Sequence, residues 1–315
     1  MTNDKVVDYT DCRDALFNEI FELAKIDKNV ILLSGDTGAF IFTQFKKELP
    51  NQFFNLGINE QNMMSVAAGL AKMGKKPFIY GISNFVTIRC LEQIRIDVCG
   101  MNLPVTILGT GTGLIYSSDG LTHHITEDVS VMRAMPNMRI FSPSDHNMLG
   151  SLVHTAYKHN GPCYIRFDKG PFERKYDFKT DGIEVPYSVF LAIQPKALYI
   201  IATGVTVDIA LKVKALLQDS IGVIDITRLK PVDIKTLPIF LKEHATHIIT
   251  LEEHTTTGGL GTIIQELMTE YKINVFIKVM GIPDKFVYEV GDRDYLRKFY
   301  GLDSETVLQY ILEIL

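Results

Sequence analysis

The sequence predicts an α/β protein of two domains, each a mainly parallel sheet flanked by helices. Three observations predict it. Short runs rich in Val, Ile, Leu and Phe alternate along the chain with longer segments of helical period, the pattern of βα units around a parallel sheet. The length, 315 residues, is too great for one ordinary core and suits two. The alternation breaks from Gly170 to Gly182, in a charged stretch (Pro171, Phe172, Glu173, Arg174, Lys175) without sustained period, which reads as a linker. The chain therefore divides into 1–170, a linker at 171–188, and 189–315.

The elements follow in order. Asp11 to Ala24 is amphipathic at helical spacing and leads into the apolar run Val30 to Leu33. A second strand, Phe53 to Leu56, precedes a strongly apolar helix at Glu60 to Met73, in which Met63, Met64, Val66, Ala67, Leu70 and Ala71 leave little polar face. That helix should be buried nearly all round. Strand Pro77 to Tyr80 is followed by a helix over Arg89 to Gly100, strand Pro104 to Leu108 by Glu127 to Met135, and strand Met138 to Phe141 by Asp145 to Lys158. Cys163 to Phe167 completes a six-strand first domain. In the second, strands are expected at Ala197 to Ala202, Ile221 to Ile226, His247 to Leu251 and Asn274 to Val279. Helices are expected at Thr206 to Gln218, Leu260 to Tyr271 and Ser304 to Leu315.

Composition narrows the function. Hydrophobic residues make up 46% and charged residues 22%, the soluble globular range, which excludes a disordered or collagen-like chain. The net charge of -5 supplies no field for a nucleic-acid backbone. No apolar run approaches the roughly 18 residues of a membrane span, and the stretch Met1 to Thr10 is polar and acidic, unlike a signal peptide, so a cytoplasmic protein is expected. Cys12, Cys90, Cys99 and Cys163 are scattered without a CxxC pair or His-Cys cluster; they read as reduced and structural, and no metal site of the chain's own is expected.

Four stretches carry polar groups where chemistry could occur. Gly109 to Gly113 (Gly-Thr-Gly-Thr-Gly) follows a strand, but the spacing misses G-x-G-x-x-G by one residue and no helical period follows. It reads as a loop at the carboxyl end of a strand, the edge where open parallel sheets place ligands. Ser118 to His124 sets Asp119, Gly120, His123 and His124 on one loop; imidazoles there can exchange protons near neutral pH, and a surface turn with incidental histidines is the other reading. Asn59, Glu60, Gln61 and Asn62 open the apolar helix, with Glu60 in its first turn. A carboxylate there favours the dipole, although capping does not account for the whole polar cluster. Glu252, Glu253 and His254, with Gly258 to Gly261 beyond, end a strand and open a helix whose amides could hold an anion; a structural crossover is the better reading.

Taken in order, these residues resemble a known family. Asn55 to Ala71, Ser83 to Val98, Asp119-Gly-Leu-Thr-His123 and Met135 to Asp145 resemble the pyrimidine-binding domain of transketolases. Arg228 to Pro231 and Glu253-His254 with Gly258 to Gly261 resemble the transketolase C-terminal domain. The resemblance covers nearly the whole chain. It implies dependence on thiamine diphosphate and Mg2+, which transketolases anchor through a Gly-Asp-Gly motif in a separate N-terminal domain. No Gly-Asp-Gly occurs here. The resemblance thus implies the C-terminal subunit of a split transketolase, active with an N-terminal partner carrying that motif, in an α2β2 heterotetramer. The helix after Glu60 and Arg89 to Met101 are candidates for the interface.

The same resemblance assigns roles. Glu60 matches the glutamate that bonds a ring nitrogen of the aminopyrimidine, Phe85 the aromatic against that ring, Arg89 a supporting residue and Asp36 an acid near the thiazolium. Asp119 and His123 match the pair that contacts substrate hydroxyls, His123 being the candidate for proton movement, and Lys169 falls near a residue that binds a sugar's terminal phosphate. Two departures stand out: the family's His-Asp pair is Gly111 and Thr112 here, and the proline of its DGPTH motif is Leu121. They point to an atypical sugar. A deoxyxylulose-phosphate-synthase-like enzyme or a 2-oxo acid dehydrogenase beta subunit is the second reading, and a non-catalytic paralogue the third.

Overall fold

The computed structural model describes residues 11–170, 188–218 and 220–314. The expected linker, apart from Ser188, and the polar stretch Met1 to Thr10 lie outside the described residues. The first body runs α1 (Cys12–Ile26), β1 (Val30–Ser34), α2 (Phe42–Glu48), β2 (Phe53–Asn55), α3 (Glu60–Lys72), β3 (Lys76–Ile82), α4 (Ser83–Val86), α5 (Leu91–Gln93), β4 (Thr106–Thr110), α6 (Asp128–Arg133), β5 (Arg139–Phe141), α7 (His146–Lys158) and β6 (Cys163–Phe167). The second runs β7 (Ser188–Ala192), β8 (Ala197–Ala202), α8 (Thr206–Leu216), β9 (Gly222–Ile226), β10 (Arg228–Lys230), α9 (Leu237–His244), β11 (Ala245–Thr255), α10 (Leu260–Glu270), β12 (Phe276–Ile282), α11 (Arg293–Phe299) and α12 (Ser304–Ile314).

Two sheets result, of order β10-β5-β6-β4-β3-β1-β2 and β12-β11-β8-β9-β7. Every pairing is parallel except at one edge of each, where β10 and β7 run antiparallel. Strands β1, β4 and β6 are buried at every position, because helices cover both faces and leave no solvent side to demand polar alternation. On one face α1 packs against α7; on the other lies α3 with Met63, Met64, Ala67, Ala68 and Ala71 inward. Side-chain acceptors cap α1 and α7: Asp11 accepts from the Arg13 amide at 2.9 Å, and Asp145 from the Asn147 amide at 2.7 Å.

Three expectations need correction. Helix α3 exposes Gln61, Asn62, Ser65, Gly69 and Lys72, so within this chain it is amphipathic and one side stands open. The helix over Arg89 to Gly100 is a 3-10 turn at Ile88–Cys90, then α5, then a π-helical segment at Ile94–Cys99. Its wider turn brings Ile94, Val98 and Cys99 inward together, and the Gly100 amide reaches back five residues to the Arg95 carbonyl. The first sheet has seven strands rather than six, because β10, from beyond the linker, crosses to pair with β5. All four cysteines are unpaired and buried, and burial pushes the thiols of Cys90 and Cys163 up to about 12, so neither is a reactive thiolate. Among the described residues no helix is long and apolar enough to cross a membrane.

Candidate active site

The candidate residues follow the carboxyl ends of β1, β2, β3, β4 and β6, along one edge of the first sheet. After β2 the chain turns and enters α3 at Glu60, whose side chain is 7% exposed. One of its oxygens, Oε2, accepts from Arg89 Nη1 at 3.0 Å. Arg89 is delivered by the irregular segment after β3, and its backbone carbonyl accepts from Gln61 Nε2 at 3.0 Å, which ties that segment to the start of α3. The Arg89 guanidinium lies over Phe85, its central carbon 4.0 Å from the ring centroid. Phe85 in turn meets the His123 ring edge-on, with centroids 5.2 Å apart.

His123 arrives on the loop after β4. That loop begins in a left-handed turn: Gly111 has φ +80°, and a Cβ there would be driven into the Tyr116 ring. Asn84 Nδ2 donates to the Thr122 carbonyl at 2.8 Å and joins the loop to the segment that carries Phe85. Thr122 Oγ1 lies 2.9 Å from His123 Nδ1, while Nε2 has no hydrogen-bond partner among the described residues. Lys169, beyond β6, places its ammonium 4.0 Å from the Tyr116 centroid, and Tyr116 sits 5.6 Å from the His123 ring. Glu60, Arg89, Phe85, His123 and Lys169 thus form one chain of contacts, with Tyr116 as a link that no sequence motif signals.

The other two candidates sit at its margins. Asp36 is exposed, in a left-handed conformation (φ 62°) held by Asn55, which accepts from its amide at 3.0 Å and donates to its carboxylate at 3.1 Å. It adjoins Glu60 through Gly35, where a Cβ would lie 3.6 Å from Glu60 Cγ. Asp119 is exposed at the tip of the loop; its amide bonds the Tyr116 carbonyl at 2.9 Å, and its side chain makes no hydrogen bond among the described residues.

Two family models match the chain. The transketolase pyrimidine-binding domain matches residues 8–173, and the transketolase C-terminal domain residues 193–307. The chain belongs to the transketolase family. It is 34% identical to one of the subunits of the apulose-4-phosphate transketolase of Phocaeicola vulgatus over 307 residues, 96% of each chain. It is 38% identical to the 1-deoxy-D-xylulose-5-phosphate synthase of Dictyoglomus turgidum over 277 residues, 86% of this chain and 44% of that protein's length. A solved split-gene transketolase, described as an inactive beta4 tetramer, superposes with a TM-score of 0.83 at 30% identity, covering 96% of this chain and 97% of its own.

In this transketolase-family chain the two bodies are clamped beneath the site. Glu253 on β11 accepts from the Leu114 amide at 3.1 Å and from Arg293 Nη2 at 2.7 Å and Arg297 Nε at 2.6 Å. Arg293 also donates to Asp168 at 2.5 Å, and Asp168 accepts from the Lys169 amide at 3.0 Å. The cluster therefore holds both the histidine loop and the base of Lys169. The sequence marked only Glu253 of its members; Arg293 and Arg297 meet it within the second body, and Asp168 joins from the first, with no motif to signal any of the three. Glu252 is engaged differently. It accepts from the Leu260 and Gly261 amides at 2.6 and 2.8 Å, filling the helix terminus that could have held an anion.

The clamp predicts an acid response. Burial works to raise the Glu253 carboxyl, but Arg293 and Arg297 outweigh it and hold it at about 2, below its ordinary 4.5. A depressed carboxyl contributes stability that is present above pH 4.5 and lost as pH falls toward 2, about 3 kcal/mol in all. Burial pushes Glu252 up to about 7 and His254 down to about 4. As pH falls from 7 to 4.5 the folded state gains from the first and loses from the second, and the two offset. The thermal midpoint of the chain should therefore exceed that of Glu253→Gln most at pH 7, and the gap should narrow steadily as pH falls from 4.5 toward 2. A gap that stays constant over that range would remove the clamp's electrostatic role.

Proposed function

We propose that the chain is the C-terminal subunit of a split transketolase that depends on thiamine diphosphate and moves a two-carbon ketol unit from a ketose to an aldose. One observation carries this: a buried carboxylate, Glu60, is joined through Arg89 to a half-buried aromatic, Phe85, at the carboxyl edge of a parallel sheet, in a chain that nowhere contains Gly-Asp-Gly. The residues present fit the pyrimidine end of the cofactor. Glu60 Oε1 accepts no hydrogen bond among the described residues, so one acceptor is available to a ring N–H, and the Phe85 face already carries a flat, cationic group. They do not supply the diphosphate end. Mg2+ with the diphosphate is assigned to a Gly-Asp-Gly partner, because this sequence carries no such motif.

When bound, thiamine diphosphate supplies the carbanion chemistry of ketol transfer. Glu60 holds a proton at the ring nitrogen and so sets the cofactor's protonation. Phe85 packs the ring, Arg89 steadies Glu60, and Asp36 lies toward the thiazolium side. His123 moves protons at substrate hydroxyls, Asp119 accepts from them, and Lys169 pairs a terminal phosphate. The open side of α3 and the π-helical segment form the interface of an α2β2 heterotetramer. The domain division at 1–170, 171–188 and 189–315 and a cytoplasmic setting belong to the same proposal.

Calorimetric titration of thiamine diphosphate with Mg2+ tests it. Binding is expected only when this chain is mixed with a Gly-Asp-Gly-bearing partner; tight binding to the chain alone would overturn the divided site. A deoxyxylulose-phosphate-synthase-like activity is the second reading, favoured by Arg228 to Pro231 and the 38% identity to such an enzyme. Carbon dioxide released from pyruvate by the mixture would favour it, and ketose exchange without release would favour the first.

A further inference from the structure

We propose that Tyr116 is a substrate-contacting, specificity-determining residue of this site, its hydroxyl donating a hydrogen bond to a sugar or sugar-phosphate oxygen held between Lys169 and His123. The inference rests on the reading of the site as a ketol-transfer centre and goes beyond it in naming what selects the substrate. Tyr116 is in contact with both flanking candidates: Lys169 Nζ stands 4.0 Å from its ring centroid and the His123 ring 5.6 Å away, tilted by 57°. Such a position is shaped by the loop. Gly111 leaves no side chain on the loop's inner wall, and the ring fills that space so closely that any Cβ at residue 111 would strike it.

The hydroxyl itself is unspent. A half-buried phenol normally finds a partner, yet this one makes no hydrogen bond among the described residues. Burial, with Tyr80, Asp168 and Asp119 adding to it and Arg13 opposing, pushes the phenol up to about 12, so it remains a protonated donor at neutral pH. Its neighbours divide the work around it: a cation for an anion, an imidazole for a hydroxyl proton, and a neutral donor between. Tyr116 thereby stands in contact with both groups that would hold the substrate. The ring also acts as a shelf for Lys169, because an ammonium over an aromatic face is held by the ring's quadrupole.

The test uses the complex of this chain with its Gly-Asp-Gly partner, a ketose phosphate donor, and a panel of aldoses each offered with and without a terminal phosphate. Tyr116→Phe keeps the shelf and removes only the donor. It should raise the KM for the acceptor about tenfold, the loss of one hydrogen bond, with kcat and the Kd for thiamine diphosphate within twofold of the parent. A rise confined to phosphorylated acceptors identifies a phosphate oxygen as the partner, and a rise shared by both forms identifies a hydroxyl. Tyr116→Leu, which also removes the shelf, should raise the KM for phosphorylated acceptors further. KM values within twofold for every acceptor in Tyr116→Phe would overturn the assignment. Absence of ketol transfer by the parent complex across the whole panel would instead overturn the reading on which it rests, and this assignment with it.

Discussion

Replacing Glu60 by Gln in the assembled complex is expected to lower turnover by about 10³-fold while thiamine diphosphate still binds. The carboxylate is buried, with only Oε2 engaged, and a buried acid at a ring nitrogen is worth about 10²–10⁴ in rate when it governs a proton. Glutamine keeps the shape and a hydrogen bond but cannot take up or release the proton. Arg89 loses its ion pair in this variant, yet its side chain is 43% exposed and water replaces the partner, so the fold should be little affected. Calorimetry of cofactor binding separates the two effects. Turnover within tenfold of the parent would remove Glu60 from the role given to it here.

The largest effect on stability should come from Asp128→Ala. Asp128 opens α6 and is fully buried; it accepts from Arg166 Nε at 2.8 Å and Nη2 at 3.2 Å, and from the Tyr164 hydroxyl at 2.7 Å. Removal of one partner leaves the Arg166 guanidinium uncompensated in a low dielectric, which costs about 3–5 kcal/mol. Urea unfolding of the chain should report that loss. Asp128→Leu combined with Arg166→Met should recover much of it, because two apolar side chains incur no charge-burial cost. A loss under about 1 kcal/mol in the single variant would show that the buried pair contributes little. Arg166 lies two residues before Asp168, so the same substitution should also loosen the strand end that presents Lys169.

Much of this architecture is legible from residue patterns alone. Cys163–Phe167 and Ala197–Ala202 stand where the apolar runs place them, since a strand buried on both faces is predominantly apolar and any charge in it, as at Arg166, must be paired. Segments without such a run escape notice. Arg228–Lys230 is three residues long and polar at both ends, and only its pairing with β5 across the linker makes it a strand. Helix α11 (Arg293–Phe299) carries two arginines inward, Arg293 to Asp168 of the first body and both to Glu253, so its pattern reads as surface until those carboxylates are seen beside them.

The site divides along the same line. Glu60, Phe85, Arg89, Asp119 and His123 lie in contiguous motifs at the ends of strands, and a motif is local, so the sequence by itself determined the family and the groups available to the chemistry. What only the tertiary structure decided is which of them touch. Tyr116 becomes the bridge from His123 to Lys169 because Gly111 lets its ring fold inward, and Glu253 reaches the Leu114 amide across 139 residues of chain, as Arg293 reaches Asp168 across 125. Contacts between residues so far apart depend on how two sheets dock. Docking is set by the summed burial and charge pairing of both bodies, which no single stretch of sequence encodes.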